Sequence, residues 1–307
     1  MKYYGIQNEV KAYINRLQDE NGIFVSVSDI KTINDRVESL KRSGVWSRFS
    51  LGFNDADADA YLTRAGVTNP LGRCEVIWFT RGVKALDLWS SMICWPMRSY
   101  QNRGTGSTLF SLGGLGVYNG TLTNTIEWNT LGLKTFNVIS GNVVGTFISV
   151  SSLNFPITLF AVNKRNSNNY TAGIDPLITL GTSTNSLFLA KRGPVNINFD
   201  NYTIRSNSGL NINGALISPF NWYTIYSSIN SNLANLSINK RLASYGQNTS
   251  AQTLSATNTS FILSQHPSSG TGDSIQQFAS VFLSKLTDDT LLHDLYKNTL
   301  GNGLGLP

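Results

Sequence analysis

Residues Trp222–Tyr245 read WYTIYSSINSNLANLSINKRLASY. Of two short runs within it, Trp222–Ile229 is rich in aromatic and β-branched side chains and Ala234–Ile238 alternates apolar with polar ones, and the polar Asn-Ser-Asn lies between them. Both runs are short for helices, and branched side chains pack well on a pleated surface, so both are expected as strands.

The pattern continues outward. Lys134–Val138, Thr146–Val150, Ile157–Val162, Ser186–Ala190, Val195–Phe199 and Tyr202–Arg205 precede the stretch, and Phe261–Leu263 follows it. Turn signals lie between them, with Asn-Gly at 119–120 and 213–214 and SSGTG at 268–272. Many short strands with recurrent turns predict a β-sandwich over 101–307. One closing helix after Thr287 carries Leu291, Leu292 and Leu295, and the tail Gly301–Pro307 is glycine-rich. No period of about 20 to 50 residues recurs, so a solenoid or propeller is not expected.

Residues 1–100 read as a helical region. From Ile6, the positions Val10, Tyr13, Ile14 and Leu17 fall at helical spacing, and Ile30, Ile33, Val37 and Leu40 repeat it after Ser28. A hairpin of two such helices cannot bury both stripes unaided. Ile6, Val10, Ile14, Leu17, Ile33, Val37 and Leu40 are therefore expected to form an assembly surface, with 1–100 as an arm. A third helix is expected over Asp55–Arg64 with Asn54 as its cap. Cys74–Trp89 is apolar and ambiguous between strand and helix.

Composition narrows the function without naming it. Of 307 residues, 14% are charged and 41% apolar, against about 25% charged in ordinary soluble proteins. Asn, at 33 residues, supplies much of the polar surface. The 33 aromatic residues exclude a disordered chain. No stretch reaches the roughly 18 apolar residues of a membrane span, and the opening MKYY starts no signal-peptide core. The net charge of +6 is spread, with 13 Lys/Arg against 11 Asp/Glu before residue 101 and 11 against 7 after it. No basic stripe results, so dedicated nucleic-acid binding is not expected. Cys74 and Cys94 are expected as buried thiols.

Three segments, in order, resemble the concanavalin A-like, laminin-G-type lectin/glucanase superfamily. GLGVYNGTLTNTIEWNTLGL at 114–133 is similar to its opening strand, and 222–245 to its hairpin, with Lys240 where the family's turn has Gly. FASVFLSKLTDDTLLHDLY at 278–296 resembles its closing strand and helix. The resemblance implies a mostly β protein, a concanavalin A-like jelly-roll β-sandwich preceded by an N-terminal helical region. The whole chain also resembles structural proteins of tailed bacteriophages that carry this sandwich, through YGIQNEV at 4–10, LKRSGVW at 40–46 and LGNGLGLP at 300–307. That implies a non-enzymatic virion component, made in the host cytoplasm. Capsid decoration, minor capsid, neck and tail are all within it. The implied partners are other virion proteins and further copies of the chain. The alternative is a fibre lectin that contacts host surface glycans.

Candidate sites are few. The family's glucanases need two carboxylates about 5–5.5 Å apart, yet no Glu follows Glu127, and Asp175, Asp200 and Asp273 are dispersed. Asp55-Ala-Asp57-Ala-Asp59 imitates a calcium loop but lacks its sixth-position Gly and twelfth-position Glu, which favours a helix N-terminus. His266 and His293 stand apart from any nucleophile motif and are expected at the surface. Gly113-Gly114-Leu-Gly116 lacks the residues of a phosphate loop and reads as a turn. Catalytic residues, metal and cofactor are thus expected to be absent. Tyr170, Tyr202, Trp222 and Tyr223 lie near Asn-rich loops and are the candidate glycan-binding residues, because sugars are held by flat aromatic faces and amide hydrogen bonds.

Overall fold

Helices form where the apolar spacing predicts them. The computed structural model describes residues 5–122, 126–135, 144–147, 155–165, 174–181, 186–196, 199–206, 211–214, 220–230, 233–247, 260–263 and 274–307. Helices α1 (Asn8–Asp19) and α2 (Val27–Arg42) each bury one stripe. Ser26 starts α2 with a reciprocal cap: its hydroxyl accepts from Asp29 N while the Asp29 carboxylate accepts from Ser26 N. After the left-handed Gly44 comes the short α3 (Val45–Arg48). In α4 (Ala56–Arg64) the cap is Asp55, not Asn54, and Asp55 Oδ1 accepts from the nitrogens of Asp57 and Ala58.

Helix α5 (Pro70–Ala85) resolves the ambiguous segment, with Asn69 as cap and Pro70 in its first turn. It is buried on nearly every side and so shows no polar stripe to betray its period. A Cβ on Gly82 would lie 2.2 Å from Leu295 Cδ1, so glycine lets α5 approach α6 (Asp289–Asn298).

Two antiparallel sheets follow. The first has the order β14 (Arg241–Gln247), β13 (Leu233–Ile238), β12 (Tyr223–Asn230), β7 (Ile157–Arg165), β16 (Ser274–Leu283), β5 (Gly132–Thr135) and β4 (Ile126–Asn129), and β1 (Met92–Pro96) also pairs with β16. The second runs β11 (Asn211–Asn213), β10 (Phe199–Ser206), β9 (Ser186–Asn196), β8 (Ile174–Gly181), β15 (Ser260–Leu263), β6 (Val144–Phe147), β3 (Gly120–Thr121) and β2 (Thr108–Leu109). Of the strand expected over Val195–Phe199, Val195 and Asn196 end β9, Phe199 opens β10 and pairs with Asn196, and 197–198 lie outside the described residues.

The first sheet is covered on both faces. Leu159, Ala161, Ile225 and Val281 face Leu177, Leu180 and Leu189 of the second sheet in one cluster. Phe160, Val162, Tyr226, Phe278 and Phe282 belong to a second cluster with the helices. The molecule is thus mostly β, a sandwich with a helical layer on its outer face.

This arrangement corrects the expected assembly surface. Val10, Ile14, Leu17, Ile33, Val37 and Leu40 are all buried within the chain itself, and Ile6 packs against the same cluster. The stripes are sealed within the helical layer, where Phe53 stacks on Tyr13 and α2 packs against α5, rather than left wet. Tyr13 Oη donates to Pro70 O at 3.1 Å, and Arg36 donates to Asn298 O at 2.9 Å. Strand β1 lies ahead of residue 100 yet belongs to the sheet, and the helices share one of the two clusters with the outer face of that sheet.

Candidate functional site

The turn between β13 and β14 is Asn239-Lys240, with both residues left-handed at φ +48° and +66°. That is the backbone of a tight hairpin turn, which usually recruits Asn-Gly. Lys240 accepts the strain of this conformation, about 1–2 kcal/mol, and places its Nζ 2.8 Å from Asp294 Oδ1 on α6. Asn239 folds the turn back onto β12, where its Oδ1 accepts from Thr224 N at 2.9 Å and lies 3.2 Å from Thr224 Oγ1.

Beside this turn is a cleft of about 510 Å³. One wall is Phe220, Asn221, Trp222 and Tyr223, and Asn239 closes its side. The opposite wall is the C-terminal tail at Leu304, Gly305 and Pro307. Phe220 is 44% exposed and left-handed at φ +66°, with Arg165 Cζ 5.7 Å from its ring. Lys164 Nζ lies 4.9 Å from the Trp222 ring. Phe220, Asn239 and Lys240 are three of six described non-glycine residues at positive φ. Backbone strain of this kind concentrates at functional sites.

The structure brings together Trp222 and Tyr223 of the expected glycan residues. Tyr202 sits on β10 of the second sheet. Tyr170 lies outside the described residues, as do His266 and Asp273. Sequence reading missed Phe220, Asn221, Asn239 and the tail. The 239–240 turn was a legible signal, but the docking of the tail had none.

His293 is corrected from surface to interior. It is fully buried behind the cleft, its Nδ1 2.6 Å from Thr224 Oγ1 and its Nε2 3.0 Å from Pro307 O. Burial holds its pKa below the ordinary imidazole value. The tail is tied down further along, where Arg98 donates to Leu300 O and Asn302 O at 3.1 and 2.8 Å. Glu75, buried in α5, accepts from Gln101 Nε2 at 2.6 Å and Asn302 Nδ2 at 3.3 Å. Burial raises its pKa to about 7 against the pull of Arg98 and these amides. No sequence motif marked that acid.

The other motifs have structural roles. Asp55 and Asp57 hold the Lys84 ammonium at 2.8 and 2.6 Å, so their cation is a side chain. Gly113 and Gly114 pack closely on the backbone of Met92 and Trp89, in a loop between β2 and β3. Cys74 and Cys94 are free and buried, and burial raises both thiol pKa values. Among the described residues, no cluster of three His, Cys, Asp or Glu is placed to hold a metal.

No protein-family model matches the chain, and no curated protein matches it in sequence. Solved structures do resemble it in shape. Trypanosoma rangeli sialidase is 11% identical with a TM-score of 0.51, over 88% of this chain and 39% of the sialidase. An HCR/D point mutant is 10% identical with a TM-score of 0.50, over 67% of this chain and 52% of its own. The botulinum neurotoxin serotype D ligand-binding domain in complex with N-acetylneuraminic acid is 11% identical with a TM-score of 0.49, over 68% and 52%. The chain spans about two fifths of the sialidase. The expectation of a non-enzymatic chain is corrected by this likeness, because the sandwich is also that of a sialidase. A missing carboxylate pair bears only on hydrolases that need one, and sialidases use a tyrosine nucleophile instead. At these identities the likeness establishes the fold: a mostly β chain whose two sheets form a β-sandwich.

Proposed function

We propose that the chain is a component of a tailed-bacteriophage virion whose sandwich, of the concanavalin A-like jelly-roll type, binds host surface glycans. The observation that carries the reading is the cleft, where aromatic residues together with Asn221 and Asn239 line a space of about 510 Å³. Sugars offer an apolar ring face and a rim of hydroxyls, which such a lining matches. The jelly-roll reading is supported by strand order, since β5, β6, β7 and β8 alternate between the two sheets. The likeness to a sialidase fold is in keeping with a glycan ligand. The virion reading rests on the motifs at 4–10, 40–46 and 300–307. Assembly with further copies and other virion proteins then falls to surfaces other than the buried α1 and α2 stripes.

The test has two arms. The purified full chain is applied to an array of bacterial surface glycans, with Trp222→Ala as control, and purified virions are analysed by quantitative mass spectrometry. Binding that Trp222→Ala abolishes, with stoichiometric recovery in particles, is the expected result. An empty array overturns the glycan reading, and absence from particles overturns the virion reading.

A further inference from the structure

We propose that His293 is the positioning residue of this cleft: it joins the two walls through one hydrogen-bonded chain and passes its protonation state to Asn239. The functional weight of this relay rests on the cleft being a binding site, whereas its chemistry stands independently.

Pro307 O accepts, as a carbonyl and as a carboxylate oxygen alike, so Nε2, 3.0 Å away, carries a hydrogen in either protonation state. In the neutral ring Nδ1 is then bare and accepts from the Thr224 hydroxyl at 2.6 Å. That hydroxyl has one hydrogen. Given to Nδ1, it leaves Asn239 Oδ1, 3.2 Å from the same oxygen, with Thr224 N as its donor. When the ring takes up a proton, Nδ1–H donates to Thr224 Oγ1 and the hydroxyl hydrogen turns to Asn239 Oδ1. Both arrangements satisfy every group, and they differ in the direction of the relay. One end is Asn239 in the turn wall and the other is Pro307 in the tail wall.

The charged groups around the ring set where the reversal falls. Lys240 approaches from the β13–β14 turn, Asp294 and Lys297 lie on the same helix, and Arg48 of α3 reaches Asp294 at 3.2 Å. Burial, Lys240 and Lys297 favour the neutral ring, while the hydrogen bond to Pro307 O and Asp294 favour the cation. The balance lies below the ordinary histidine value. The relay therefore runs from Thr224 to His293 at neutral pH and reverses at a pH below the ordinary histidine value.

The experiment follows the ¹⁵N-labelled full chain by NMR from pH 8 to 4.5, with His293→Gln and Asn239→Asp for assignment. The expected result is an Nε2–H tautomer at pH 8, a His293 midpoint below about 6.5, and an Asn239 side-chain amide that moves with the same midpoint. Thr224→Val should leave His293 titrating but hold the Asn239 amide still, and Thr224→Ser should restore the movement. An Asn239 amide indifferent to the His293 titration, an Nδ1–H tautomer at pH 8, or unchanged coupling in Thr224→Val would overturn the proposal. The wild-type titration decides the matter even if Thr224→Val fails to fold. An empty glycan array would sink the binding reading and leave these shifts in place.

Discussion

The two faces of the first sheet are packed by different means. Toward the second sheet the cluster is aliphatic, with Trp95 the one aromatic ring among its buried described members. Toward the helices it is aromatic: Phe278 lies 5.3 Å from Phe79, 5.9 Å from Phe160 and 4.9 Å from Tyr296 between ring centroids. That side also buries Arg73, Glu75, Arg98 and Gln101. Two aligned sheets leave an even gap that alternating aliphatic side chains fill. Helices laid on a sheet leave uneven gaps that large rings span, and their ends bring backbone groups that need polar partners. One core therefore fails through lost volume, and the other through lost rings or lost hydrogen-bond partners.

The strongest way to break the comparison is to remove the helical layer. A chain starting at Gly104 loses α1 to α5 and β1, and leaves Phe160, Val162, Phe278 and Phe282 exposed. It should aggregate or stay unfolded, as judged by soluble yield and circular dichroism. The milder pair Val10→Asp and Ile14→Asp puts unpaired charge among fully buried side chains and should cost several kcal/mol by denaturant unfolding. A soluble, cooperatively folding truncated chain would show that the sandwich needs no cover.

How legible this was depended on burial geometry. Helices α1 and α2 have one wet face, so their period was plain in the sequence. Strand β7 is buried at eight of its nine positions because helices cover one face and a sheet the other. Its first six residues, ITLFAV, therefore read as a nearly unbroken apolar run without alternation. Strand β1, buried throughout, was hidden for the same reason. Trp222 and Tyr223 of the cleft were legible as aromatics beside Asn. Its second wall was not, since nothing local in LGLP says where a tail docks.

Within the intact fold, Phe278→Ala should cost about 3–5 kcal/mol and Leu159→Ala about 2–5 kcal/mol. The sharper contrast is coupling. Phe278→Ala and Phe79→Ala together should fall short of additivity by about 0.5–1.5 kcal/mol, the contribution of their edge-on contact. Strict additivity would reduce the aromatic face to area burial alone.

The polar side of the contrast is exposed by pH. The folded value of Glu75, about 7, stands above its ordinary 4.5, so the unfolded chain loses that proton first as pH rises. Its contribution is full below about pH 4.5 and is lost toward pH 7, roughly 3 kcal/mol at about 1.4 kcal/mol per pH unit. Glu75→Gln should flatten this slope in denaturant melts between pH 4.5 and 8. A slope unchanged in the variant would place the titration elsewhere.

The smallest effect concerns the turn that borders the cleft. Lys240→Gly relieves a left-handed side chain, worth about 1–2 kcal/mol, but loosens the unfolded chain by about 0.4–1 kcal/mol. It also removes the Lys240–Asp294 pair, a partly exposed contact of about 0.2–1 kcal/mol. These nearly cancel, so stability should change by less than about 0.5 kcal/mol despite the return to the usual hairpin residue. Asp294→Asn, measured in both backgrounds, separates the components, because the Arg48 contact is common to both and drops out of the difference. Coupling between Lys240 and Asp294 would mean that the ion pair to α6 offsets the strain. Without coupling, and with a stabilised glycine variant, the strain would stand uncompensated at the turn, and the ammonium group would have to be explained by what enters the cleft.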